Sequence, residues 1–220
     1  MEIIDGEFRY IDFTNDRPRP VLLHDTYAVL HRYMIAWKFG LQSTATRENQ
    51  SPIDVRATFR ERFFGSSNRL ERLHGTIYAS IPSINFGRIA KRVDLDAFLQ
   101  EGVGQADIWL DFDALKLTQL TADVSLNDVS LRWRPDDNPI RVDTYQARLK
   151  QTLDGPNLSL SAQDIVIKPI GQNPYYLGNA TLEGHLRNRN IYDGSLYIDA
   201  FDLSSLTTIG LQLPISDNVL

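Results

Sequence analysis

The run Gln105-Ala106-Asp107-Ile108-Trp109-Leu110-Asp111-Phe112-Asp113 alternates apolar and polar residues without a break. Period-two alternation marks a β-strand with one face turned to an apolar environment. Ala106, Ile108, Leu110 and Phe112 share one face, and Asp107, Trp109, Asp111 and Asp113 share the other. A helix would scatter these four apolar residues around its circumference, because its period is 3.6.

The next run continues the pattern, then breaks it. Leu120, Ala122, Val124 and Leu126 have one parity, whereas Val129, Leu131 and Trp133 have the other. A change of parity takes one extra residue, so a bulge or tight bend is expected at Asn127-Asp128. Leu158, Leu160 and Ala162 repeat this behaviour, with the parity changing after Gln163-Asp164 to Ile165 and Ile167. Ser125 to Arg132 aligns directly with Ser161 to Lys168, and Gly75-Thr76-Ile77-Tyr78 echoes Gly194-Ser195-Leu196-Tyr197. These matches read as a weak internal β repeat.

Further strands are expected near Gly6 to Phe13, Val21 to Leu41 (as two strands), Ile53 to Phe64, Leu73 to Ile81, Asp143 to Leu153, Tyr175 to Leu186 and Asn190 to Phe201. Gly, Pro, Asn and Asp clusters separate them. One helix is expected from Phe86, Ile89, Ala90 and Val93 through Leu99, stopped by Gly102 and Gly104, and a short second one after Leu203. Many strands, short turns and no βαβ rhythm predict a mainly β fold of long antiparallel strands with one or two short helices. The whole of 1–220 reads as one continuous β segment, with its weakest join near 86–104.

Composition narrows the chemistry. The 220 residues are 42% hydrophobic and 23% charged, ordinary for a folded chain. A net charge of -5 argues against nucleic acid as the main partner. With no cysteine, disulfides, thiolate metal sites and cysteine nucleophiles are excluded. His24, His31, His74 and His185 have no metal-ligand spacing. Asp107, Asp111 and Asp113 lie along a strand, which spreads carboxylates apart where a calcium loop would gather them. No nucleophile elbow, phosphate loop or dinucleotide fingerprint occurs. No catalytic residue, metal or cofactor is therefore assigned, and the chain is not read as an enzyme. Trp37, Trp109, Trp133 and several tyrosines fall mainly in expected strands. They suit cross-strand packing, a lipid path or a sugar platform. Met1 leads directly into strand-like sequence and Leu220 comes soon after Pro-Ile-Ser-Asp, so the chain reads as an interior piece of a longer β protein.

Leu73-His74-Gly75-Thr76-Ile77-Tyr78 is followed by Val93 to Leu99, then by Gly104 to Phe112, then by Leu120 to Leu131. In this order and spacing, roughly Leu73 to Leu220 resembles AsmA-like proteins of the YhdP type, while Gly6 to Gly65 is compatible with that family through less specific residues. The resemblance implies a curved repeat sheet forming a groove with an apolar interior. It implies an inner-membrane-anchored protein of a Gram-negative bacterium whose periplasmic portion carries phospholipid between inner and outer membrane. The partners would be phospholipid acyl chains, and the two membranes through parts of the parent chain outside this sequence. The expected groove lining is Ala106, Ile108, Leu110, Phe112, Leu120, Ala122, Val124, Leu126, Leu158, Leu160, Ile165 and Ile167. The same apolar face could instead close on itself as a sandwich core. The competing expectation is accordingly a carbohydrate-binding or adhesive β-sandwich domain, with outward aromatics such as Trp109 making the contacts.

Overall fold

The alternation seen in the sequence becomes twelve strands in the computed structural model, which describes residues 1–10, 21–46, 52–62, 70–86, 99–114, 116–131, 140–154, 157–187 and 190–199. They are β1 (Glu2–Tyr10), β2 (Val21–Tyr33), β3 (Ala36–Thr46), β4 (Ile53–Glu61), β5 (Leu73–Asn85), β6 (Leu99–Asp113), β7 (Lys116–Leu131), β8 (Ile140–Asp154), β9 (Asn157–Pro169), β10 (Tyr175–Leu177), β11 (Ala180–Arg187) and β12 (Asn190–Ile198). Strand order follows chain order, apart from β10, which pairs only with β9 so that β11 lies beside β9. Every pairing for which a register is defined is antiparallel. The mainly β, antiparallel fold expected from the sequence is the fold observed.

The chain divides into two compact units. One comprises Met1–Ile84 with Gln105–Ala122, and the other Asn85–Gly104 with Asp123–Leu220. In the first, ladder pairing aligns Leu30, Phe39, Ala57 and Ile77 across β2 to β5, and Ala28, Leu41, Val55 and Ala79 one step along. The alternate rows are polar: Tyr27, Gln42, Asp54 and Ser80, then His31, Lys38, Thr58 and Thr76. In the second unit Leu149, Ala162 and Ala180 align across β8, β9 and β11, as do Gln151, Leu160 and Leu182.

Both parity breaks have a backbone cause. Asp128 and Asp164 each sit at φ 52, in the left-handed region. Asp5 (φ 52) and Asp25 (φ 46) do the same in β1 and β2. Aspartate tolerates this region better than most residues because its short polar side chain bonds locally. At Asp164 the register slips between Gln146 and Arg148, so Ala147 alone faces Asp164 and Ile165. Around Asp128, Leu126 and Val129 are both buried while Asn127 and Asp128 are exposed. The bulge thus keeps apolar residues inward when the sequence changes phase.

Two expectations need revision. Gly102 and Gly104, read as a helix stop, lie inside β6, because that strand already begins at Leu99. A Cβ on Gly104 would lie 2.8 Å from Leu126 Cα and 2.9 Å from the Ser125 carbonyl carbon, so its role is close strand approach. The single strand expected over Tyr175 to Leu186 is two, β10 and β11, separated at Gly178-Asn179. The helices expected after Phe86 and after Leu203 fall on 87–98 and 201–220, outside the described residues.

Candidate apolar binding face

Polar contacts define which way each strand faces. In the first unit, Tyr78 Oη donates to Asp107 at 2.9 Å and Thr76 Oγ1 donates to Asp111 at 2.6 Å. Gln119 Nε2 also donates to Asp111, at 3.3 Å, and Arg62 pairs with Asp113 at 3.1 Å. The rings of Tyr78 and Trp109 meet at 5.3 Å with a 40° tilt. Asp107, Asp111 and Asp113 are thus engaged with neighbouring side chains along one face. Ala106, Ile108, Leu110 and Phe112 take the other face by parity, together with Leu120 and Ala122 of β7.

The second unit repeats the division. Arg148 grips Asp123 with two hydrogen bonds of 2.6 Å each, and Gln146 donates to Ser125 at 3.3 Å. Their parity turns Val124 and Leu126 to the opposite face. Tyr145, Ala147 and Leu149 of β8 join that face, and Leu158, Leu160, Ile165 and Ile167 follow through the β8–β9 register. The twelve lining residues expected from the sequence therefore divide six to a unit, each group on the face opposite the ion pairs.

Electrostatics follow the same partition. Hydrogen bonds from Arg148 hold the Asp123 carboxyl below the usual range, and Arg56 does the same to Asp54. On the apolar face, burial pushes the Tyr145 phenol up.

Burial along the apolar face is mixed: Leu41, Val124, Leu126, Leu158 and Ile165 are buried. Among the described residues, the largest side chains that are fully buried are Val129, Thr26 and Ser43. Ala28, Ala57, Ala106, Ala122 and Ala147 are also buried. Other large residues of this face, namely Phe39, Phe59, Ile108, Leu110, Phe112, Leu160 and Ile167, are partly buried. In a closed core such residues reach near-complete burial. Here these partly buried residues keep some apolar surface of their own accessible.

The expected lining omitted the first unit's early strands. Leu30, Phe39, Leu41, Val55, Ala57, Phe59 and Ile77 form equivalent apolar rows. The alternation Ile53-Asp54-Val55-Arg56-Ala57-Thr58-Phe59-Arg60 carried the signal. On the opposite face, a depression of about 370 Å³ opens around Gly40, bordered by Tyr27, Val29, His31, Lys38, Gln42 and Arg56. A Cβ on Gly40 would stand 3.2 Å from Val29 Cγ1, so a side chain there would intrude on this depression.

No family model, curated protein or solved structure matches the chain.

Proposed function

We propose that this chain is a lipid-handling β segment whose apolar face receives phospholipid acyl chains and whose opposite face meets water. The partial exposure of Phe39, Ile108, Leu110, Phe112 and Leu160 carries the reading, because a ligand must find accessible apolar surface. Acyl chains need no polar recognition site. Each buried methylene contributes about 0.8 kcal/mol through non-directional contact, and rows such as Leu30-Phe39-Ala57-Ile77 offer that contact in series. The continuous antiparallel pairing satisfies backbone donors and acceptors within the sheet, so an apolar ligand meets side chains alone. The resemblance to AsmA-like proteins of the YhdP type supports the same reading. It suggests a periplasmic groove carrying phospholipid between inner and outer membranes.

The test is photo-crosslinking to phospholipid. A photoreactive residue at Leu110 or Leu160 captures lipid, whereas one at Thr76 or Gln146, on the opposite face, does not. Equal capture from both faces, or none from either, refutes the reading. The second reading, a carbohydrate-binding or adhesive domain, draws on the Gly40 depression with its tyrosine, histidine and amide border. Trp109, expected to make the sugar contacts, packs on Tyr78. Glycan binding abolished by Gly40→Val would favour this second reading over the first.

A further inference from the structure

We infer that the β2–β3 hairpin tip is a contact site for an anionic lipid surface. Three features meet there. First, the tip is apolar where it should not be. Tyr33 pairs with Ala36, leaving Met34-Ile35 as a two-residue turn. Such turns favour Asn and Gly at positive φ, yet Met34 occupies φ 49. Tyr33 and Met34 are 76% and 74% exposed, among the most exposed large hydrophobic residues described. The chain therefore holds a strained methionine in water at a position where glycine or asparagine would fit better.

Second, the tip is flanked by exposed cations. Arg32, Lys38 and Arg60 are exposed, and Arg60 lies opposite Ala36 in the ladder. His31 to Lys38 contains no acidic residue, although the chain carries a net charge of -5. Among the described residues, Lys38 and Arg60 make no ion pair. The adjacent Glu61 is held by Arg72 at 2.7 Å. Third, an aromatic anchor lies one step back. The Arg32 guanidinium rests 5.0 Å from the Trp37 ring centre. Apolar residues at a tip, cations around it and an indole behind match the layering of a membrane interface, where tails, phosphates and headgroups follow in order.

This inference does not rest on the groove reading, because the tip could meet a bilayer whatever the apolar face does. The experiment is co-sedimentation with vesicles of phosphatidylcholine alone or mixed with phosphatidylglycerol. The wild-type chain is expected to bind the mixed vesicles and to be released by salt. Lys38→Gln with Arg60→Gln should weaken binding roughly 25-fold, at about fivefold per cation. Tyr33→Ser with Met34→Gly should weaken it about tenfold or more, and glycine at 34 suits the turn, so the fold is retained. Circular dichroism and the urea midpoint check that retention. Wild-type affinity in both double variants overturns the inference, as does a wild-type chain that ignores anionic vesicles. A self-association lost in Tyr33→Ser with Met34→Gly would reassign the tip to contact between copies. Lipid capture at Leu110 in the tip variants tests the groove separately.

Discussion

Replacing Gly104 by alanine tests the claim that β6 and β7 are pressed together in the second unit. The three atoms nearest the added Cβ are all backbone: Leu126 Cα at 2.8 Å, the Ser125 carbonyl carbon at 2.9 Å, and the Ser125 oxygen closer still. Favourable carbon–carbon contacts begin near 3.5 Å, so no rotamer change relieves the overlap and the strands must separate locally. Overpacking of this kind costs about 1–3 kcal/mol. Separation also weakens one or two ladder hydrogen bonds, each worth about 1 kcal/mol. Removing glycine's excess flexibility returns about 0.5–1 kcal/mol. The net expectation is a destabilisation of about 1–4.5 kcal/mol. Urea unfolding followed by circular dichroism measures it, as a lower midpoint with an unchanged slope. Gly40→Ala is the matched control. Its Cβ meets a side chain, Val29 Cγ1 at 3.2 Å, which can move. That variant should unfold within about 0.5 kcal/mol of wild type. Equal midpoints for the two variants would refute the assignment of Gly104 to close strand approach.

The left-handed aspartates predict a substitution pattern. Asp128→Gly and Asp164→Gly should stay within about 0.5 kcal/mol of wild type, while Asp128→Val should cost about 1–2 kcal/mol because a β-branched residue resists φ near 52; thermal melts that rank valine above glycine would contradict this. Acid titration supplies another check. Asp54 and Asp123 have folded pKa values below the unfolded value near 3.9. Their contribution is therefore complete above about pH 4 and disappears as pH falls through the folded pKa. Asp54→Asn with Asp123→Asn should flatten the decline of the urea midpoint below pH 4 and leave its pH dependence between 5 and 7 unchanged. Burial predicts that Val129→Ala costs about 1–3 kcal/mol. The loss per carbon removed should be smaller for the half-buried Leu160, and chemical denaturation of both variants makes the comparison.

Much of the fold was legible because alternation is local. Gln105 to Asp113 announces its own faces, and the bonds of Asp107 and Asp111 to β5 follow from them. The bulges at Asp128 and Asp164 were legible for the same reason, since clean apolar runs on both sides expose a change of phase. Asp5 and Asp25 were not, because Ile3-Ile4 and Leu22-Leu23-His24 offer no clean alternation to interrupt. Gly102 and Gly104 misled because glycines after helically spaced residues resemble a stop signal. Close approach to Ser125 is a relation between strands distant in sequence. The hairpin turn at Met34-Ile35 carried no turn chemistry, so Val21 to Leu41 suggested two strands without a boundary. For the candidate site, parity identified the apolar face, but alternation is the same whether that face is covered or open. Only the half-burial of residues such as Phe112 and Leu160 bears on the difference.

The left-handed aspartates also determine where this chain can change length. Excise Asp128, and Leu126, Val129 and Leu131 fall into unbroken alternation with Asn127 and Ser130. Excise Asp164, and Ala162, Ile165 and Ile167 do the same. Each of these aspartates is the residue in excess, accommodated without reversing the side chains beyond it. Elsewhere in β7 or β9, losing one residue would turn every later side chain to the wrong face. Single-residue insertions and deletions among chains of this kind should therefore gather at such aspartates, which act as expansion joints in strands otherwise intolerant of a changed count.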